Sequence, residues 1–312
     1  MSWLRALGFN VPAGIVTSRD LAPRVGVAPA WLLDATGIDE RRFAAPGESV
    51  AELGVLAARD CLDSSGMVPR EIGCLLVASG SAEKRFPGPA AAIGAALGIP
   101  GVPAIDLPMA SAGSLFAIVL AAQLAPAHRN VLVVGAEIMS RLLQIDAAGR
   151  DTAILFGDGA GACVVSSETG FAEIRDSLLA SDAGYADALS LSWGAPLYMD
   201  GRTVILHASR KLPRTISELL ERNGLEVGDI GTYLLHQANR NLITRIAQTL
   251  KVPEERFFSN LNRYGNTSSA SLLIAAAEWW RSSGGAMAAP VVLAAFGAGF
   301  HWGAVLAEPA RM

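Results

Sequence analysis

Residues 233–280 read YLLHQANRNLITRIAQTLKVPEERFFSNLNRYGNTSSASLLIAAAEWW, and this stretch decides the fold class. A short apolar run over 230–235 predicts a strand that ends at His236. Beyond it Leu242, Ile243, Ile246, Ala247 and Leu250 recur at helical spacing, so the strand feeds an amphipathic helix. Asn266 follows Tyr264-Gly265 and opens a second predicted helix over 267–280, with small Ser and Ala residues in its first turns. Polar side chains where an apolar strand gives way to a helix lie where α/β folds assemble reacting groups. Loops there face a crevice, and the first helical N–H groups point outward without partners.

Working outward, strand-like and helical segments alternate along the chain, which predicts an α/β architecture. Strands are expected over 72–78, 102–106, 131–135, 162–166, 291–296 and 304–306, and helices over 49–61, 89–97, 111–124 and 212–222. The first residues, ending at Pro12, read as a further strand. From Leu107 to Ala127 no side chain is charged, long enough to raise a membrane span. Pro108, Ser111, Gly113, Ser114 and Gln123 interrupt that run and Pro126 is expected to end it, so a helix buried on all sides is the better reading. The turn at Ser166-Ser167-Glu168-Thr169-Gly170 suggests two halves, 1–168 and 169–312.

Charged residues make up only 17% of the chain against 51% hydrophobic ones, which implies a large core and a subunit interface. The formal charge of −4, with basic residues scattered, argues against a nucleic-acid partner. MSWLRALGFNVPAG lacks the apolar core and cleavage site of a signal peptide. Cys61, Cys74 and Cys163 show no CxxC spacing and read as buried thiols, so a cytoplasmic protein is expected. His128, His207, His236 and His301 form no ligand cluster, and no metal is expected.

Two motifs, His236-Gln237-Ala238-Asn239 and Gly265-Asn266-Thr267-Ser268-Ser269-Ala270-Ser271, closely resemble the paired signatures of beta-ketoacyl-ACP synthase III, a thiolase-like condensing enzyme. The segment 296–303, FGAGFHWG, is similar to that family's C-terminal glycine-rich loop, and 157–162, GDGAGA, to its central one. Gly37-Ile38-Asp39-Glu40-Arg41-Arg42 and Arg85-Phe86-Pro87 match near the N-terminus, so the resemblance spans nearly the whole chain in order. It implies a duplicated thiolase-like fold, with two mixed β-sheets sandwiching buried central helices. It also implies a homodimer, acyl-CoA or acyl-ACP as substrate, an acyl carrier protein as partner, and no permanently bound cofactor.

The resemblance places the nucleophile at residue 111, where the family has cysteine and this chain has Ser111. A helix N-terminus lowers a thiol's pKa but does not ionise a hydroxyl, which needs a base. His236 is the expected base, with Asn266 facing the same point. The backbone N–H groups of Ser111 and Ala298 are the expected oxyanion hole, Ala298 standing where the family usually has glycine. An oxyester is less electrophilic toward carbon than a thioester, so transfer to a carrier or hydroxyl competes with condensation onto malonyl-ACP. Three readings fit: an acyltransferase acting through Ser111, a condensing enzyme carrying a Cys-to-Ser exchange, and a non-catalytic homologue that binds an acyl carrier protein. A serine hydrolase lacks support, because Met109 occupies the first glycine of the G-x-S-x-G elbow.

For the carrier, the resemblance assigns Trp31 and Arg150 to the adenine end of coenzyme A, while Ala35 replaces a second family arginine. That loss tilts the donor toward an acyl carrier protein, whose acidic docking helix Arg240, Arg245, Arg210 and Lys211 would meet. Phe86 matches a residue that crosses the family's dimer interface to line the partner's acyl pocket. Asn241 stands where the family often has a docking arginine. His207 is expected in the core, and His301 no closer to the chemistry than a supporting shell.

Overall fold

The protein is described from a computed structural model covering residues 1–310; the last two residues of the expected second half lie outside it. In chain order the elements are β1 (Trp3–Asn10), α1 (Val50–Ser64), β2 (Cys74–Ala78), α2 (Pro89–Leu97), β3 (Ala104–Leu107), α3 (Gly113–His128), β4 (Asn130–Glu137) and β5 (Gly159–Ser166). The pattern then repeats as β6 (Ala172–Ser181), α4 (Gly201–Arg222), β7 (Thr232–Leu235), α5 (Arg240–Leu250), β8 (Phe257–Phe258), α6 (Ser271–Ser282), β9 (Val291–Gly297) and β10 (His301–Pro309).

Across the sheet the strands run β8-β7-β9-β10-β6-β1-β5-β4-β2-β3. Outward from the seam between β6 and β1, each half has its first, fifth, fourth, second and third strand in turn. In each half the three outermost strands are parallel and the rest antiparallel, so both are mixed. The expected pair of sheets is therefore present, joined edge to edge where Trp3 pairs with Glu173 and Leu4 with Ala172. Helices α3 and α6 lie between the halves and touch strands of both. Helices α1 and α2 cover the outer face of the first half, and α4 and α5 that of the second.

The uncharged segment forms the central helix α3, and no helix is long and apolar enough to cross a membrane among the described residues. Pro126 does not end it, as the sequence suggests, but sits inside its last turn. A proline has no N–H for the carbonyl four residues back. That carbonyl, Ala122 C=O, accepts the Ser2 hydroxyl at 2.9 Å instead. Strand β6 escapes the sequence reading because FAEIRDSLLAS mixes polar and apolar residues, and the strand is only partly covered. Helix α4 begins eleven residues before its expected start, on an Asp200 cap that accepts the Thr203 N–H. His207 is not core: it lies half-buried in an aromatic cluster with Tyr185 and Phe300. All three cysteines are buried and unbridged.

The central glycine-rich loop acquires a packing role. Gly135 and Gly161 are register partners on β4 and β5 and form a flat pad under the start of α6. A Cβ on Gly135 would stand 2.6 Å from Ser269 O, and one on Gly161 2.5 Å from Leu273 Cβ. Overpacking of this kind costs about 1–3 kcal/mol. Gly161→Ala is therefore expected to lower the urea midpoint by an amount in that range. Because α6 follows directly on Asn266, activity should fall in the still-folded protein. An unchanged midpoint with unchanged turnover would show that α6 has room to shift.

Candidate active site

Three polar groups from the two halves meet in one channel, which is lined mostly by apolar side chains such as Leu155, Phe156, Met199 and Phe296, with Asn239 as a further polar residue. The three are Ser111, His236 and Asn266. Each is at least 93% buried, with exposures of 5%, 7% and 5%.

Ser111 lies in the turn from β3 into α3, at φ +58°, a left-handed conformation uncommon for a residue with a Cβ. The C-terminal glycine loop closes over it: a Cβ on Gly297 would stand 2.8 Å from Ser111 Cβ and 2.6 Å from Ala110 O. Only glycine lets that loop approach so near. The Ser111 N–H, expected in an oxyanion hole, is already donated to Ser268 Oγ at 3.0 Å. Ala298 sits half-buried in the same loop as Gly297.

His236 follows directly on β7 and is fixed to the sheet by its N–H on Ala294 C=O at 2.8 Å. Its Nδ1 lies 2.5 Å from Ser271 Oγ. Burial pushes the imidazole down to about 4 from its ordinary 6.5, against a smaller opposing effect of the Ser268 backbone, so the ring is neutral at pH 7. His236 and Ser111 line the same channel. Among the described residues Ser111 Oγ has no hydrogen bond to His236, contrary to the sequence expectation.

Asn266 is held by backbone and side chain together. Its N–H donates to Leu155 C=O at 2.9 Å, and its C=O accepts from Gly157 N–H at 3.0 Å. Its Oδ1 accepts the Ser268 N–H at 2.9 Å, which fixes the amide orientation and leaves the Nδ2 hydrogens for the channel. The same bond makes 268–270 a tight turn with Ser268 at φ +49°, so α6 starts four residues later than its periodicity suggests.

Glu137 escapes sequence reasoning altogether. Fully buried at the end of β4, it accepts from Gly80 N–H at 3.0 Å, Ser81 Oγ at 2.5 Å and Ser269 N–H at 3.3 Å. Burial raises its pKa, while bonds from Ser81, Gly80, Ser269 and Ser268 pull the other way. The Ser269 N–H on this carboxyl lies next to Ser268, whose hydroxyl takes the Ser111 N–H. The only sequence signal was an acid closing an otherwise apolar strand.

At the outer end, Arg150 stacks over the Trp31 ring at 5.7 Å, with Trp31 46% exposed, so the two expected adenine contacts are neighbours. Ala35 C=O accepts from Asn239 and Asn241 Nδ2 at 3.2 and 3.0 Å, and Asn241 is exposed. Arg210, Arg240 and Arg245 are exposed, and the side chain of Arg240 covers Gly37. Lys211 is not free: it pairs with Asp182 at 3.3 Å and lies 3.9 Å over the Trp302 ring. His301 bonds Ser181 Oγ at 2.7 Å and does not line the channel. Among the described residues no group of acids, histidines or cysteines could hold a metal.

The C-terminal model of 3-oxoacyl-(acyl-carrier-protein) synthase III matches residues 220–308, and the model of 3-oxoacyl-(acyl-carrier-protein) synthase III matches 105–183. The beta-ketoacyl-(acyl-carrier-protein) synthase III of Oleidesulfovibrio alaskensis is 37% identical, over 98% of both chains. The chain belongs to the beta-ketoacyl-(acyl-carrier-protein) synthase III family. The synthase III of Chlamydia caviae is 34% identical over 96% of this chain and 95% of its own. Among solved structures, synthase III from Aquifex aeolicus superposes with TM-score 0.93 at 31% identity, covering 99% of this chain and all of its own. A priming beta-ketosynthase of a polyketide pathway superposes with TM-score 0.92 at 30% identity, covering 100% and 97%. The matched spans of the synthase III models contain Ser111 in the first and His236, Asn266 and Ala298 in the second.

The depressed His236 pKa has a thermodynamic consequence. Between about 4 and 6.5 the unfolded chain binds a proton that the folded chain refuses, so stability falls as pH drops through that window. Going from pH 6.5 to 5 this one group should remove about 2 kcal/mol. Urea unfolding of the wild type and of His236→Gln across that range checks it. Equal pH slopes would mean that the ring is protonated in the folded protein.

Proposed function

We propose that the chain is a priming condensing enzyme that joins an acyl group, delivered as a coenzyme A or acyl-carrier-protein thioester, to the two-carbon unit of malonyl-ACP. The observation that carries this reading is the convergence of Ser111, His236 and Asn266 on one apolar channel, with the Asn266 amide turned so that its NH2 group faces inward. In the first half-reaction Ser111 Oγ adds to the thioester carbonyl, the carbon–sulfur bond breaks, and the hydroxyl proton leaves with the departing thiol. In the second the malonyl carboxylate leaves as CO2 and its electron pair passes into the thioester enolate. Asn266 Nδ2 and the His236 ring donate hydrogen bonds to that enolate oxygen. The enolate carbon then attacks the acyl carbonyl, the carbon–oxygen bond to Ser111 breaks, and the leaving Ser111 oxygen takes up one proton from solvent to regenerate the hydroxyl. Residues Ala298 and Ser111 supply the N–H groups nearest the tetrahedral centre, the latter by exchange with Ser268.

A second reading, transfer of the acyl group to a carrier thiol or a hydroxyl, draws support from Ser111 itself. An oxyester is a poorer electrophile for carbon than the thioester a cysteine would form. The Trp31–Arg150 pair supports an adenine contact, and exposed Arg240, Arg245 and Arg210 support docking of an acidic carrier protein in the cytosol.

Intact mass after mixing with acyl-CoA and acyl-ACP, followed by product analysis with malonyl-ACP, tests these readings. Ser111→Cys is expected to acylate faster, because the helix N-terminus favours a thiolate, and to yield more β-ketoacyl product. Asn266→Ala should slow malonyl decarboxylation by about 10²–10³-fold, the cost of one such donor. Adducts without any β-ketoacyl product from either protein would favour the transfer reading. No adduct on either would leave a carrier-binding homologue, and free acid a hydrolase.

A homodimer is part of the proposal. Strand β3 is a sheet edge with Ile105 43% exposed, and Phe86 beside it is 85% exposed. An uncovered apolar edge strand invites pairing with a second copy. Light scattering should give twice the chain mass, and Phe86→Asp should shift the equilibrium toward monomer. A wild-type monomer at all concentrations would refute it.

A further inference from the structure

Ser271 opens α6 at 2% exposure and touches two groups of the motif that carries His236. Its Oγ accepts the Gln237 N–H at 3.1 Å and lies 2.5 Å from His236 Nδ1. A serine hydroxyl has one hydrogen, and buried polar hydrogens are donated in the great majority of cases. Among the described residues His236 Nδ1 is the one acceptor within hydrogen-bond reach of Ser271 Oγ. Nδ1 therefore accepts, and in a neutral imidazole the proton then resides on Nε2. Gln237 keeps this arrangement in register. Its buried side chain donates to Leu235 C=O at 3.0 Å and Phe258 C=O at 3.1 Å, and accepts from Ser259 Oγ at 2.8 Å.

We propose that Ser271 is a positioning residue that holds His236 in its Nε2–H tautomer, so that the imidazole serves as a hydrogen-bond donor to a thioester oxygen and not as a base for Ser111. This rests on reading His236 as a substrate-facing group. In that tautomer the only ring lone pair is turned away from the channel and occupied by Ser271. The absence of a Ser111–His236 hydrogen bond among the described residues agrees with it. So does the neutral state of the buried ring. Without the Ser271 hydroxyl, Nδ1 is free to carry the proton and Nε2 to present a lone pair. Decarboxylation would then lose a donor while Ser111 gains a base, and the two half-reactions would move in opposite directions. A merely loosened site would slow both.

Imidazole 15N NMR on the full-length wild type is the direct test, with a pyrrole-like Nε2 and a pyridine-like Nδ1 at His236 expected at pH 7. The reverse assignment would overturn the proposal, whatever the reaction turns out to be. For Ser271→Ala the tautomers should mix. Decarboxylation of malonyl-ACP should fall about 10- to 10³-fold, within the ~10⁴-fold that a wrong imidazole tautomer can cost, with Ser111 acylation unchanged or faster. Ser271→Thr keeps the hydroxyl and should restore both the NMR signature and the rate. Equal losses in both half-reactions, or wild-type behaviour of Ser271→Ala, would refute the assignment. If Ser271→Ala does not fold, the wild-type spectrum decides alone. Absence of decarboxylation in the wild type would count against the functional reading and leave the tautomer result standing.

Discussion

The site depends on a clamp made by the backbone. Asn266 donates its N–H to Leu155 C=O and accepts from Gly157 N–H, tying the loop before β5 to the loop before α6. These are hydrogen bonds between the two halves, made where water is excluded, so breaking one leaves a buried group unpaired. Everything polar near the reaction centre hangs from this junction. The Asn266 side chain shapes the turn that presents Ser268, Ser268 takes the Ser111 N–H, and Ser271 one turn on meets His236. Ser111 comes from one half and His236 and Asn266 from the other, so the geometry of the channel is set by how the halves meet.

That arrangement explains why small residues fill the Asn266 motif. Glycines on β4 and β5 let α6 settle directly on the first sheet. The serines of 268–271 are too short to reach far, but in such close contact they need not. Each bridges groups from separate elements: Ser268 to Ser111, Ser269 to Ala78 C=O and Glu137, Ser271 to His236 and Gln237. A side chain longer than a serine or threonine at these points would separate the halves before it reached a partner.

Much of this was legible in the sequence, and what was not has physical causes. His236 and Asn266 stood where apolar elements give way to helices, and α2 covers the 89–97 expected from its sequence. Periodicity could not show β6, which is half-covered and carries mixed side chains, or the continuation of α3 through Pro126, which depends on a hydroxyl 124 positions away at Ser2. Nor could it show that Lys211 is held by Asp182, or that the Ser111 N–H goes to Ser268 Oγ, since both depend on where distant segments come to rest. Glu137 was invisible because its donors come from two stretches far from it in sequence, at Gly80-Ser81 and at Ser269. Local pattern reports what an element is; the groups it will meet are a property of the assembled sheet.

The seam between β6 and β1 contains only two residue pairs, yet α3 and α6 are wrapped by strands of both halves. Cohesion between the halves thus resides in shared apolar cover and hardly at all in the edge ladder. A fragment ending in the turn between Ser166 and Ala172 would expose the inner face of α3 along its length, and the complementary fragment that of α6. Neither piece would be a self-sufficient folding unit. Each would be half of an adhesive joint, aggregation-prone alone and competent only beside its counterpart. During synthesis the first half is therefore left with one face of α3 uncovered until the second half emerges to cover it.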